Sequence, residues 1–460
     1  MPPKRKAPAA TAKDHLDVLR KSLQQSTPWT SGVLDVRGDD LSLFYKYGEG
    51  EREARLLNLE DATDEHLEEL AAACQPATFG RGQEDVLDEN YRKAGKLDCA
   101  NFASSLDIAS LQVIDAISPD LLDGRDDADK KIIRPELYKL NVYGPGSFFK
   151  SHKDTPRSKD MIGSLVIVLP TTHEGGELSL SHGSESSTFD SALDLADKKT
   201  SIAYVAFFSD VMHAVEKVTS GYRVTLTYNL FLIDRPDSRL VPARQPSAAE
   251  TACEAALRGL VADPTFLPAG GILGFGLTHQ YPIPRGPRDP QTLKHVLKIL
   301  KGADARMHGV ALRVGLETSL YLVYDTGRWE GNGHYVGTSE VVNLEGILDE
   351  GGESVQALEE AGEPLRTATE SESGASTKKK AAAKGRSKKA KRDSSGDEEE
   401  ESEDEGDKER TAVHWVTKVK KMNRAVSAYV AMGNEADLAH HYGDAALFVR
   451  FPAAADRGAL

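Results

Sequence analysis

The sequence predicts a mostly β protein with flanking helices, built as a β-sandwich or small barrel with a second ordered region behind it. Three observations predict this. Short β runs punctuated by Gly, Pro, Asp and Ser crowd residues 136–232. Apolar residues at helical spacing come before them. A low-complexity charged block, 367–409, then sets a short C-terminal segment apart from the rest.

The elements follow in order. Residues 1–13, MPPKRKAPAATAK, lack the apolar content to fold and read as a disordered basic tail. Leu16–Leu23, Leu67–Cys74 and Leu106–Ile117 have helical spacing, while Ser31–Val36 and Ser42–Tyr47 are strand-like. Leu137–Tyr143 alternates, and Leu165–Leu169 is a continuous buried-strand run. Glu177–Leu180, Ile202–Phe208 and Tyr222–Leu232 complete the β ladder. These place one domain over 14–235, with its core at 136–232, and a Pro/Arg-rich linker at 236–249. A second domain over 250–365 opens with a helix, Ala249–Val261, and continues with strand-like Ile272–Leu277 and Val310–Tyr324.

Residues 366–411 are a disordered charged insertion, KKKAAAKGRSKKAKR followed by DSSGDEEEESEDEGD. Beyond it, Val413, Val416, Val419, Met422, Val426 and Val430 form a stripe that predicts a helix, and Ala445–Phe451 a strand. That segment, 412–460, is too short to build a core alone and is expected to dock on the second domain.

Composition excludes several classes. No stretch approaches the roughly 18 apolar residues of a membrane span, and no N-terminal run has signal-peptide character, so no membrane partner is expected. Cys74, Cys99 and Cys253 lie far apart without zinc-site spacing and read as buried, reduced thiols of an intracellular protein. The formal charge is −15, with four basic residues in 1–13 and 12 basic against 13 acidic residues in 366–410, which leaves −18 for the remainder. An acidic body disfavours broad phosphate binding, so a nucleic-acid partner is possible but disfavoured.

The chemistry is carried by Asn141-Val-Tyr-Gly-Pro-Gly-Ser-Phe-Phe-Lys-Ser-His152-Lys-Asp154. Residues two apart on an extended segment share a face, so His152 and Asp154 converge on one point. Fe(II) in oxygenases takes two His and one carboxylate on one octahedral face, leaving positions for co-substrate and O2. His213, between two apolar runs, fits as the third ligand. Arg223 follows it by ten residues on a fresh strand, sharing a face with Thr225 and Thr227. A guanidinium beside a hydroxyl suits bidentate capture of a carboxylate.

With Gly175–Leu178 (GGEL) between these motifs, the chain resembles the prolyl-4-hydroxylase-like branch of the Fe(II)/2-oxoglutarate-dependent dioxygenases, and within it an uncharacterised fungal-type group. The resemblance covers Glu136–Leu232. It implies a double-stranded β-helix (jelly-roll), with Fe(2+), 2-oxoglutarate and O2 as reactants, succinate and CO2 as by-products and ascorbate assisting. It implies that Arg223 and Thr225 hold the far carboxylate of 2-oxoglutarate, and that a protein side chain is the substrate. The second domain itself reads as α+β or β-rich, and the resemblance adds a degenerate barrel lacking the iron ligands as the other reading. Asn141-x-Tyr143, with His152 eleven residues after the Asn, is similar to the AlkB-like nucleic-acid demethylases, where that Asn and Tyr contact 2-oxoglutarate. The later spacing of that family is not reproduced. Rival readings are a nucleic-acid oxidase and a non-catalytic nuclear interaction protein on an oxygenase scaffold.

Other residues weigh less. Phe148, Phe149 and the Gly144/Gly146 turn read as a lip over the site or as a tight turn with core aromatics. Arg157 reaches an acidic substrate or pairs with a surface carboxylate. His173, His182, His279 and His308 show no convergent spacing and read as solvent-facing or structural. The clusters Lys4–Lys6 and Arg386–Arg392 read as contacts for nuclear import machinery, placing the chain in the nucleus or nucleocytoplasm. Ser394 and Ser395 before the acidic run suit an acidophilic kinase.

Overall fold

The computed structural model describes residues 10–25, 28–47, 53–81, 84–236, 245–283, 292–326, 334–349, 352–368, 410–431 and 437–459. The basic clusters Lys4–Lys6 and Arg386–Arg392, Ser394, Ser395, most of the tail and most of the charged insertion lie outside these residues.

Helix α1 (Ala12–Gln24) opens with a capping box, in which Thr11 Oγ1 accepts from the Asp14 N–H and the Asp14 side chain accepts from the Thr11 N–H. The helix therefore begins inside the stretch expected to be disordered. After it come β1 (Trp29–Asp35), α2 (Asp64–Ala73), β2 (Gln75–Pro76), β3 (Arg92–Lys93), β4 (Gly95–Asp98) and α3 (Val113–Leu121). The first half continues with β5 (Lys131–Tyr143), β6 (Phe148–His152), β7 (Met161–Val168), β8 (Leu178–His182) and β9 (Glu185–Phe189). It ends with β10 (Ser201–Phe208), β11 (Met212–Val215) and β12 (Arg223–Asp234). One sheet runs β1-β10-β7-β12-β5-β4-β2, and a second runs β9-β8-β11-β6-β3.

These two sheets make the jelly-roll. Its central strands explain themselves: β10 is buried along its whole length, and the apolar run SIAYVAFF needs both faces covered. α3 packs on β1, β5 and β10. α1 does not buttress this sheet but packs on α4 of the second half.

The second half contains α4 (Ala248–Ala262), β13 (Gly271–Gly276), α5 (Gly302–Val314), β14 (Glu317–Asp325) and β15 (Tyr335–Thr338). After them come β16 (Glu363–Thr367), β17 (Thr411–Thr417), β18 (Arg424–Ala431) and β19 (Asp437–Phe451). Strand pairing runs β13-β17-β16-β15-β14-β19, and β19 pairs again with β13, which closes a six-stranded barrel. The long β19 makes closure possible, since one of its edges serves β18 over 437–444 and β13 over 446–451.

Several expectations fail here. The valine stripe from Val413 to Val430 is not a helix but parts of β17 and β18, joined through 418–423. Valines three apart mimic a helical period, yet β-branched side chains pack better on a pleated surface. Val310–Tyr324 divides: Val310–Val314 ends α5, Gly315 takes φ 89° at its C-cap, and the strand starts only at Glu317. Among the described residues no helix is long and apolar enough to cross a membrane. The three cysteines are free, but only Cys253 is buried; Cys74 is half-buried and Cys99 exposed.

Candidate functional site

The site lies in the cavity between the two jelly-roll sheets. His152 ends β6 and pairs in register with His213 on β11, beyond an irregularity after Phe149. Their rings stand 4.1 Å apart, and His213 Nε2 is 3.8 Å from Asp154 Oδ1. One ligand atom from each of His152, Asp154 and His213 lies within 4.8 Å of the others. The three predicted ligands therefore converge.

Their surroundings fix how they face the cavity. The Nδ1 edge of each histidine meets a carbonyl two residues back, Lys150 O at 2.9 Å and Val211 O at 3.0 Å, which leaves both Nε2 atoms for a metal. Phe149 stacks on His152 at 3.6 Å, and Phe207 lies 4.6 Å from His213. Ser164 Oγ donates to Asp154 Oδ2. Burial, then the neighbouring His213, holds His152 down to about 3, so the ring is neutral and its lone pair is available. At Asp154 burial works upward, but His213, Ser164 and His152 outweigh it and keep the carboxyl below its ordinary value.

At the closed end of the cavity Arg223 is 1% exposed. Its Nε donates to Ser191 Oγ at 3.3 Å, its guanidinium lies 5.8 Å from the Tyr143 ring, and its Nη2 has no partner. An unpaired buried guanidinium nitrogen is costly, and burial alone pulls this group down to about 10. A carboxylate there would satisfy it. Gly176 makes room for the side chain: at φ +76°, a Cβ on it would sit 3.0 Å from Arg223 Cδ and 2.8 Å from Val218 Cγ2. That is the physical reason for glycine in the GGEL motif.

Strand register orders the wall. Tyr143 pairs with Arg223, Asn141 with Thr225 and Lys139 with Thr227, and all six line the cavity. Asn141 is already engaged, however. Its Oδ1 accepts from Arg92 Nη2 at 2.8 Å and its Nδ2 donates to Thr227 Oγ1 at 3.1 Å, so it braces the wall. Phe149 lines the cavity and is buried in the core, as the reading of a tight turn with core aromatics has it.

Sequence reasoning missed several members. Arg92 lies 49 positions before Asn141 in a stretch without periodicity and carried no signal. Ser191 and His173 complete the Arg223 support, with His173 Nε2 3.2 Å from Ser191 Oγ. Ser164 had a weak signal, a hydroxyl inside the otherwise apolar strand β7. His182 and His279, expected not to converge, do converge. Both approach the buried Asp210, at 3.0 and 3.1 Å. Lys301 Nζ and the Gln280 N–H also reach Asp210, at 2.8 and 2.9 Å. Four nitrogens fill its lone-pair positions, which makes this group an internal ion-pair cluster.

Residues 138–231 match the sequence model of the 2OG-Fe(II) oxygenase superfamily. No curated protein matches the chain. Among solved structures, a Pseudomonas putida prolyl-4-hydroxylase is 18% identical and covers 47% of this chain and 98% of its own, with a TM-score of 0.29. A Trichoplax adhaerens prolyl hydroxylase, in complex with a hypoxia inducible factor oxygen degradation domain peptide, is 13% identical and covers 48% and 90%, with a TM-score of 0.28. The viral collagen prolyl hydroxylase of Paramecium Bursaria Chlorella virus-1 is 12% identical and covers 45% and 96%, with a TM-score of 0.21.

Proposed function

Because residues 138–231 are a 2OG-Fe(II) oxygenase domain, which makes the chain an oxidoreductase using Fe(2+), 2-oxoglutarate and O2, we propose that it hydroxylates a C–H bond of a protein side chain, of prolyl type. One observation carries this reading. Two imidazole Nε2 edges and a carboxylate converge at one point of a cavity whose closed end holds the unpartnered Nη2 of Arg223. This donor set fits Fe(II), and the spare guanidinium nitrogen fits the far carboxylate of the co-substrate.

His152, Asp154 and His213 would hold the iron. The bound iron with O2 and 2-oxoglutarate supplies the oxidation, turning substrate C–H into C–OH while 2-oxoglutarate becomes succinate and CO2. The chain's own groups position and exclude. Arg223 pairs with the carboxylate, Thr225 adds a hydroxyl beside it, and Tyr143 holds the guanidinium plane. Asn141 braces Arg92 and Thr227. Phe149 and Phe207 shield the imidazoles from water. The prolyl assignment draws on the order and spacing of the motifs from His152 to Arg223.

The test is succinate formation by anaerobically Fe(II)-loaded protein after air is admitted, with Asp154→Ala and Arg223→Ala as controls. Iron-dependent succinate that disappears in Asp154→Ala is the expected result. If neither iron nor 2-oxoglutarate binds in titration, the oxygenase reading gives way to a non-catalytic scaffold. We further propose nuclear import through Lys4–Lys6 and Arg386–Arg392. A fluorescent fusion that stays nuclear after both clusters are replaced by alanine would overturn that.

A further inference from the structure

Charge balance in the cavity says more about the substrate. The Fe(II) ion, the Asp154 carboxylate, both carboxylates of 2-oxoglutarate and the Arg223 guanidinium together carry no net charge. Yet the cavity is lined by five more cations, Arg92, Lys96, Lys139, Lys153 and Arg157, and among the described residues by no carboxylate except Asp154. Lys96 is answered by Asp98 at 3.4 Å. No described carboxylate pairs with the other four. This excess sits on a protein whose body is otherwise acidic, so it is a local feature of the cavity, with Lys153 and Arg157 at its exposed end.

The geometry places it beside the reacting position. Lys153 stands between the two iron ligands of the H-x-D, and Arg157 follows Asp154 by three residues. Both are exposed. Arg157 donates to the Tyr138 hydroxyl, and its guanidinium lies 4.3 Å from the Tyr138 ring, as does the Lys139 ammonium. Lys153 Nζ donates to Gln280 Oε1 of the second half at 3.4 Å.

We infer that Arg157, Lys139 and Lys153 form a carboxylate-recognition subsite, and that the hydroxylated protein segment carries Asp or Glu within two or three positions of the reacting residue. This rests on the protein-hydroxylase reading above. An extended peptide advances about 3.3 Å per residue, which brings such a side chain to the mouth while the reacting carbon faces the iron site. A nucleic-acid strand fits less well. It needs cations spaced along a track and open aromatic faces, whereas here the charge is confined to one mouth and Tyr138 is engaged by cations.

The test uses the full chain loaded with Mn(II) and 2-oxoglutarate, and labelled peptides of one length with a central proline flanked by Asp/Glu, by Ser/Ala or by Lys. Fluorescence polarisation reads the Kd of each, and Fe(II)-loaded protein reads hydroxylation in parallel. The acidic peptide binds about ten-fold tighter than the neutral one, and Arg157→Glu or Lys153→Glu removes most of that ratio. Both positions are exposed, so folding is not at stake. Equal Kd values, no measurable binding of the acidic peptide, or a ratio unchanged in both variants overturns the subsite. So does a methylated single-stranded oligonucleotide that binds tighter than the acidic peptide and loses affinity in Arg157→Glu. Charge-ranked binding without hydroxylation keeps the subsite and removes the prolyl reading. Hydroxylation at equal rates on all three peptides does the reverse.

Discussion

The Asp210 carboxylate and the Lys301 ammonium meet at 2.8 Å inside the protein, three residues before the distal histidine of the candidate iron site. Asp210 occupies the turn between β10 and β11, while Lys301 precedes α5 in the second half. The loop 278–281 that carries His279 and Gln280 is itself clamped. Asp304 accepts from the Thr278 and His279 N–H groups, and Asn423 donates to His279 O at 2.6 Å. The second barrel thus holds the turn that presents His213. Lys301→Met should cost about 3 kcal/mol in urea unfolding, since it strips one partner from a buried ion pair. It should also weaken Co(II) binding at the iron site. Unchanged Co(II) affinity in a destabilised variant would show that the clamp serves stability alone.

The same cluster sets an acid limit. Burial works to raise the Asp210 carboxyl, but His279 and Lys301 outweigh it and hold it well below the usual carboxylate range. A depressed folded value adds stability that is complete above the unfolded value of about 3.9 and is lost as pH falls through the folded value. Melting temperature should therefore drop on acidification below about pH 4. Asp210→Asn, less stable at neutral pH, should show a shallower acid slope. Parallel slopes for the two proteins would assign the acid loss to other carboxylates.

Much of the site was legible because its chemistry is written at short range. His152 and Asp154 lie two apart on one strand end, and Arg223, Thr225 and Thr227 share one face by simple alternation. What surrounds them is written at long range. Arg92 bonds Asn141 across 49 positions, and Asp210 bonds Lys301 across 91, distances that no local pattern encodes. The second barrel was legible only in part for the same reason. Its closure depends on Gly271–Gly276 pairing with the far end of β19, and its valines carried a spurious helical period.

Ser164 offers a direct probe of ligand orientation. Its hydroxyl donates to the Asp154 oxygen that does not face His213, and so fixes the carboxylate rotation. Ser164→Ala removes one donor from a buried strand position without adding volume. Co(II) affinity at the site should fall about ten-fold, the usual scale for a supporting hydrogen bond. Thermal melting on the same sample should move by only a few degrees. An unchanged Co(II) affinity would mean that Asp154 is held by its backbone alone.

Arg223 separates charge from shape. Lys at this position keeps a cation but loses the planar fork and the Nε contact to Ser191 Oγ at 3.3 Å. If the unpartnered Nη2 exists for the far carboxylate, Arg223→Lys should raise the 2-oxoglutarate Kd by about ten-fold and Arg223→Ala by about a hundred-fold. Co(II) binding without co-substrate should change little in either variant, because Arg223 is not among the three ligands. Titration calorimetry with each ligand in turn checks both halves of the statement. Equal 2-oxoglutarate affinity in the wild-type protein and Arg223→Ala would move the carboxylate to another cation of the cavity, and Arg92 would be the next to replace.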